Sequence, residues 1–167
     1  MYHSNIKCVA FDCFGTVFNM SGISKHEISD YVKHVKSNNF SPYTFPVSWF
    51  KLKPHLDSAT GIYLIQSKGI KCVSLSNGSF DLIKKISEEN NIYWDFIIDL
   101  VKHEVYKPNN GAYNTVEIDT GFKPEETLMV TANPTFGDIE GSNKIGMKSQ
   151  VIRHGPPENI IDLARSL

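Results

Sequence analysis

The chain is poor in cysteine and arginine and has no long apolar run. Its three cysteines, Cys8, Cys13 and Cys72, are odd in number and lack CxxC spacing. That excludes a disulfide framework or a zinc knuckle and fits a reducing, cytoplasmic setting. Only two arginines occur, Arg153 and Arg165. No hydrophobic stretch reaches the length of a membrane span, and the opening Met1–Lys7 is too polar for a secretory leader, so no membrane partner is expected. Charge of one sign is also missing. Seventeen Lys+Arg against 18 Asp+Glu leave a net charge of −1, so there is no basic field to hold a nucleic acid. With 167 residues, 41% hydrophobic and 21% charged, the chain is expected to fold as a single domain over 1–167 with its own core.

Five short apolar runs are present: Ile6–Phe11, Lys71–Leu75, Phe96–Ile98, Thr127–Thr131 and Ser149–Ile152. Most are apolar at consecutive positions, the pattern of strands buried on both faces of a parallel sheet. Helical patterns lie between them, over Ser58–Ser67, Ser79–Asn90, Gly111–Gly121 and Ile139–Ile145. Strand alternating with helix predicts an α/β domain, a doubly wound parallel sheet in three layers.

One stretch interrupts that rhythm, at about residues 18–57. Ser24–Ser37 reads as an amphipathic helix with Ile28, Tyr31, Val32 and Val35 on one side. It is followed by an aromatic loop, Phe40–Phe50, carrying two prolines. Such a loop can finish the core, cover a site as a lid, or meet a second subunit in a homodimer.

In an open parallel sheet, ligands bind beyond the carboxyl ends of the strands. The residues at those positions are Asp12, with Phe14 and Thr16 in its turn, then Ser76 and Asn77, and then Asn133 with Asp138 five places on. Lys107-Pro108 follows the third run after a connector. Each alone could be a turn or cap residue. Together they bring two carboxylates, a hydroxyl, amides and an ammonium to one edge.

These segments resemble, in order, the motifs of the haloacid dehalogenase (HAD) superfamily of hydrolases, and within it the L-2-haloacid dehalogenase branch. Phe11-Asp12-Cys13-Phe14-Gly15-Thr16 is similar to the first motif and Leu75-Ser76-Asn77-Gly78-Ser79 to the second. Lys107-Pro108 with Tyr113 is similar to the third, and Thr131-Ala132-Asn133 with Asp138-Ile139-Glu140-Gly141 to the fourth. Arg153-His154-Gly155-Pro156-Pro157 looks like the closing segment. The resemblance implies a Rossmann-like HAD fold with a reduced cap at 18–57. It also implies an Asp12 nucleophile that forms a covalent ester. Thr16 would orient Asp12, and Lys107 would supply fixed positive charge. Ser76 and Asn77, beside Phe14, would bind a small anionic substrate, and Asn133 and Asp138 would position water.

Position 14 separates two chemistries. The superfamily's phosphatases usually carry there an Asp that protonates the leaving alcohol, whereas Phe14 cannot transfer a proton. A departing halide needs none, and on that reading no cofactor is required. Asn133 likewise stands where phosphatases place a magnesium-binding Asp. On a phosphatase reading, Asp12, the Phe14 carbonyl and Asp138 would hold Mg²⁺. The branch also departs from this sequence in its full helical cap and in the arginine that cradles the halide. Lys25, Lys33 or Lys51 could replace it, though a lysine offers a point charge rather than a planar fork. The gap from Asn133 to Asp138 matches the phosphatases. A binding protein on the same scaffold is the third reading.

Overall fold

The computed structural model describes residues 5–167, so Met1–Ser4 of the polar opening segment lie outside the described residues. Five strands, β1 (Cys8–Phe11), β2 (Lys71–Ser74), β3 (Phe96–Ile97), β4 (Thr127–Thr131) and β5 (Lys148–Val151), form one parallel sheet in the order β3-β2-β1-β4-β5. β1 and β4 are buried at every position, as their unbroken apolar runs require. The expectation of burial on both faces fails for β3 and β5. They are edge strands with one neighbour each, which is why β5 accommodates Lys148 and Gln150.

The helices are α1 (Lys25–Lys36), α2 (Ser58–Ser67), α3 (Phe80–Glu89), α4 (Asn110–Thr120), α5 (Asp138–Lys144) and α6 (Ile160–Ser166). Successive residues of β1 face opposite layers. Val9 and Phe11 meet Ile62, Ile65, Leu82, Ile86 and Ile160 from α2, α3 and α6. Cys8 and Ala10 meet Ala112, Tyr113 and Val116 of α4 on the other face. This is the three-layer doubly wound α/β architecture. α6 escaped the sequence reading because it is short and follows Pro156-Pro157. Its capping box, Asn159 with Asp162, is the local signal that marks it. Among the described residues, no helix is long and apolar enough to cross a membrane.

The segment between β1 and α2 leaves and returns at one point. Asn19 N–H donates to Lys53 O at 2.8 Å and His55 N–H to Val17 O at 2.9 Å. α1 begins at the Ser24 cap, whose side chain accepts from Glu27 N–H at 3.1 Å. A short 3₁₀ turn at Val47–Lys51 carries Trp49 inward. Tyr31, Phe45 and Trp49 are buried and join the same core as Phe11 and Phe18. The Tyr106 hydroxyl donates to Asn39 O at 2.6 Å, and the Phe40 ring packs on Tyr106 at 4.9 Å. Residues 40–50 therefore finish the core. Phe45 and Trp49 are the rings of this loop that are buried inside the chain, while Val47 stays exposed.

Candidate active site

The register that pairs Phe11 with Ser74 and with Val130 brings the ends of β1, β2 and β4 level. Asp12 continues the ladder, its N–H donating to Val130 O at 3.0 Å. The chain then turns sharply at Gly15, which has φ +84°. A Cβ there would lie 2.9 Å from Asn133 Nδ2, so glycine serves both the left-handed turn and the approach of Asn133.

The two oxygens of Asp12 are treated differently. Oδ2 accepts from Thr16 Oγ1 at 2.8 Å, Asn133 Nδ2 at 3.2 Å and Thr131 Oγ1 at 3.3 Å. Among the described residues, Oδ1 accepts only from Lys107 Nζ, at 3.2 Å. The three donors on Oδ2 are themselves held. Thr16 Oγ1 accepts from Ala132 N–H at 2.9 Å, Thr131 Oγ1 accepts from Asn133 N–H at 2.9 Å, and Asn133 Nδ2 also donates to Phe14 O at 3.1 Å. One oxygen is thus pinned by neutral groups while the other is paired with an ammonium.

Lys107 Nζ sits between two carboxylates, 3.2 Å from both Asp12 Oδ1 and Asp138 Oδ2. Burial alone would pull its pKa down, but the two carboxylates outweigh it and hold the pKa above the usual lysine value. Asp138 moves the other way from a typical ion-paired acid. Burial raises its pKa, with Asp12 adding to the rise and Lys107 opposing it. The Tyr113 hydroxyl donates to Asp138 Oδ1 at 2.7 Å. Side-chain exposure is 14% for Asp12, against 7% for Lys107 and 4% for Asp138. Asp12 is the member of the trio that a solute can reach.

The predicted residues gather as expected, with two changes of role. Asn77 is held against the lysine backbone, with a second Nδ2 hydrogen still able to donate. Its Nδ2 donates to Lys107 O at 3.2 Å and its Oδ1 accepts from Lys107 N–H at 2.8 Å, so it positions the lysine. Ser76 Oγ accepts from Gly78 N–H at 3.1 Å and keeps its own proton to donate. The Phe14 ring packs over Gly78, where a Cβ would meet it at 2.8 Å, and is wrapped by Tyr31, Phe45 and Trp49.

The second change concerns Asp12, Phe14 and Asp138 as magnesium ligands. An N–H of Asn133 occupies the gap between Asp12 Oδ2 and Phe14 O, and the Lys107 ammonium separates Asp12 from Asp138. A hard dication needs several oxygens converging on one point, and N–H donors at that point oppose it. These residues do not fit magnesium. Among the described residues, no group of three or more His, Cys, Asp or Glu is placed to hold a metal.

Sequence reasoning missed Thr131 as a ligand of Asp12. It named Tyr113 only beside the third motif and gave it no partner, whereas its hydroxyl reaches Asp138. His154, too, is tied to the site. Its Nε2 lies 3.0 Å from Gly15 O, its Nδ1 3.5 Å from buried Asp57, and its ring stacks on His55 at 3.4 Å. The proposed substitutes for a halide-binding arginine, Lys25, Lys33 and Lys51, are all exposed. Arg153 is paired with Glu158 on the surface.

No protein-family model matches the chain. Over 88 residues, 52% of the chain, it is 27% identical to the (S)-2-haloacid dehalogenase of Pseudomonas putida. That stretch spans 39% of the relative's own length. The fold matches a defluorinating L-2-haloacid dehalogenase with a TM-score of 0.76 at 20% identity, covering 100% of this chain and 98% of that one. The chain is thus similar to haloacid dehalogenases, in sequence over about half its length and in fold over all of it. Its fold does not separate dehalogenation from phosphate chemistry. A HAD phosphatase from Thermococcus onnurineus matches with a TM-score of 0.72 at 16% identity, covering 96% of this chain and 97% of that one.

Proposed function

We propose that this chain is a hydrolase in which Asp12 Oδ1 attacks the halogen-bearing carbon of a small 2-haloacid. Residues 18–57 act as a minimal cap within the one domain. The reading is supported by the asymmetry of Asp12, with three neutral donors on Oδ2 and the Lys107 ammonium on Oδ1. Such preorganisation fixes the direction of attack without spending reorganisation energy in the reaction.

Attack forms a C–O bond to Asp12 as the carbon–halogen bond breaks, and the halide leaves with the bonding pair. Water then adds to the Asp12 carboxyl carbon, and the bond to the substrate oxygen breaks. One water proton passes to the departing alkoxide and the other to Asp138, then to solvent. The products are a 2-hydroxy acid, halide and a proton, and Asp12 is restored. Asp138 suits the base role because burial makes it more basic than an ordinary carboxylate. The Ser76 hydroxyl is a neutral donor for the substrate carboxylate at an edge that already holds two acids.

Phe14 and the amide of Asn133 both argue against phosphoryl transfer. The first cannot protonate a leaving alcohol, and the second fills a gap that a magnesium ion would need. The test is a panel of 2-haloacids and phosphate monoesters, each run with Mg²⁺ and with chelator. Halide release unaffected by chelator, with heavy-oxygen water labelling the Asp12 peptide, is the expected result. Mg²⁺-dependent phosphate release would assign the phosphatase chemistry instead. No turnover of either class would leave the scaffold as a binding protein.

A further inference from the structure

We propose that Tyr31 and Trp49 form the subsite for the departing anion, each donating one hydrogen bond, from the phenol O–H and the indole N–H, where no cation is available. This rests on the dehalogenase reading of Asp12 and names the residues that would receive its leaving group.

Both side chains are almost completely enclosed, at 8% and 1% exposure. Yet among the described residues the Tyr31 hydroxyl and the Trp49 indole nitrogen are buried with no hydrogen-bond partner. Buried donors are rarely left unpaired, because each forfeits its hydration without compensation. Two such donors occur on rings that pack together at 5.5 Å and stand edge-on to Phe14 at 5.9 and 5.2 Å. Phe14 is two residues from Asp12, and its ring lies on Gly78, beside Ser76. Phe14 thus touches both the second motif and the insert.

The Tyr31 hydroxyl also answers electrically to the site. Its pKa is raised first by burial and then by Tyr106, Asp12, Tyr43 and Cys13. The phenol consequently stays protonated and can only donate to an anion. Neutral donors suit this cleft. Lys107 is already committed to two carboxylates, and a large, weakly hydrated halide is well accommodated by aromatic rings with an N–H or O–H in place.

The probe is bromide, at ionic strength held constant with sulfate, and the signal is the fluorescence of Trp49 in a Trp94→Phe background. A bound bromide quenches an enclosed indole saturably, whereas collisions in solution give a linear, unsaturable loss. Saturable quenching is expected, with Tyr31→Phe weakening bromide affinity by about tenfold or more. The Tyr31→Phe protein should melt no lower than its parent, because the lost hydroxyl had no partner in the fold. In turnover, Tyr31→Phe should slow release of chloride more than of bromide, the poorer leaving group needing the donor more. Linear quenching in the parent, or an affinity unchanged by Tyr31→Phe, would overturn the subsite even if 2-haloacids are hydrolysed. Saturable, Tyr31-dependent binding without turnover would support the subsite and discard the hydrolase reading.

Discussion

The sheet side and the insert side of the cleft differ in how fully they satisfy polar atoms. At the strand ends, both oxygens of Asp12 and both of Asp138 are engaged, and donors to Asp12 are held by further hydrogen bonds, with Ser74 Oγ as the unpartnered exception. Across from them, among the described residues, the insert buries the Tyr31 hydroxyl, His34 Nε2 and the Trp49 indole nitrogen without partners. A satisfied network is rigid and defines one geometry, as an attacking atom requires. An unsatisfied wall is costly in the resting protein and gains only when something enters. On the proposed reading, the contrast divides the cleft into a part that acts and a part that receives.

The comparison can be broken most directly at its centre. Asp12→Asn should abolish turnover, by about 10⁴-fold or more, while its melting temperature stays close to that of the parent. Retained activity in a steady-state assay would remove Asp12 from the reaction.

Lys107→Met comes next. It leaves two buried carboxylates facing one another, so a loss of about 3–5 kcal/mol in denaturant unfolding is expected at neutral pH, together with loss of turnover. Adding Asp138→Asn to that variant should recover much of the stability but none of the activity. The lysine's raised pKa fixes the sign with pH. Its contribution is complete below the ordinary value of 10.5 and disappears as pH rises through the higher folded value.

A smaller effect sharpens the acidic side. The Tyr113 hydroxyl lowers the Asp138 pKa against the larger effect of burial. Tyr113→Phe removes that donor, so the Asp138 pKa rises further and the acidic limb of the kcat/KM profile moves to higher pH. A limb that stays in place would show that Asp138 is not the titrating base.

Thr131→Val should have the mildest consequence. It deletes a 3.3 Å contact to Asp12 Oδ2, leaving Thr16 and Asn133 to hold that oxygen, and it removes the acceptor for Asn133 N–H. A stability loss of about 1 kcal/mol and a rate loss below about tenfold are expected from melting and steady-state assays.

Much of the fold is legible along the chain, because the signals for it are local. β4 and α2 fall on their predicted limits, since unbroken apolar runs and glycine stops do not depend on distant partners. α6 and the edge character of β5 are less legible, the first for its shortness and the second because apolar patterning does not say which strand has one neighbour. In the site, residue types announce Asp12, Lys107 and Asp138. Hydrogen bonds spanning 119 residues, such as Thr131 to Asp12, leave no mark on local sequence. The turn of Asn77 toward the Lys107 backbone is equally silent, since an exposed amide and a committed one read alike.

The sequence by itself determined which chemical groups stand at the strand ends, because a parallel sheet delivers whatever follows each apolar run to one edge. Only the tertiary structure decided what each group is free to do. It pinned one oxygen of Asp12 with neutral donors and paired the other with Lys107. It held Asn77 against the Lys107 backbone and set an Asn133 N–H in a gap a metal would have needed. It also closed aromatic rings over Phe14 with two donors unpaired. Those outcomes depend on distances between segments far apart in the chain, and burial makes each of them count.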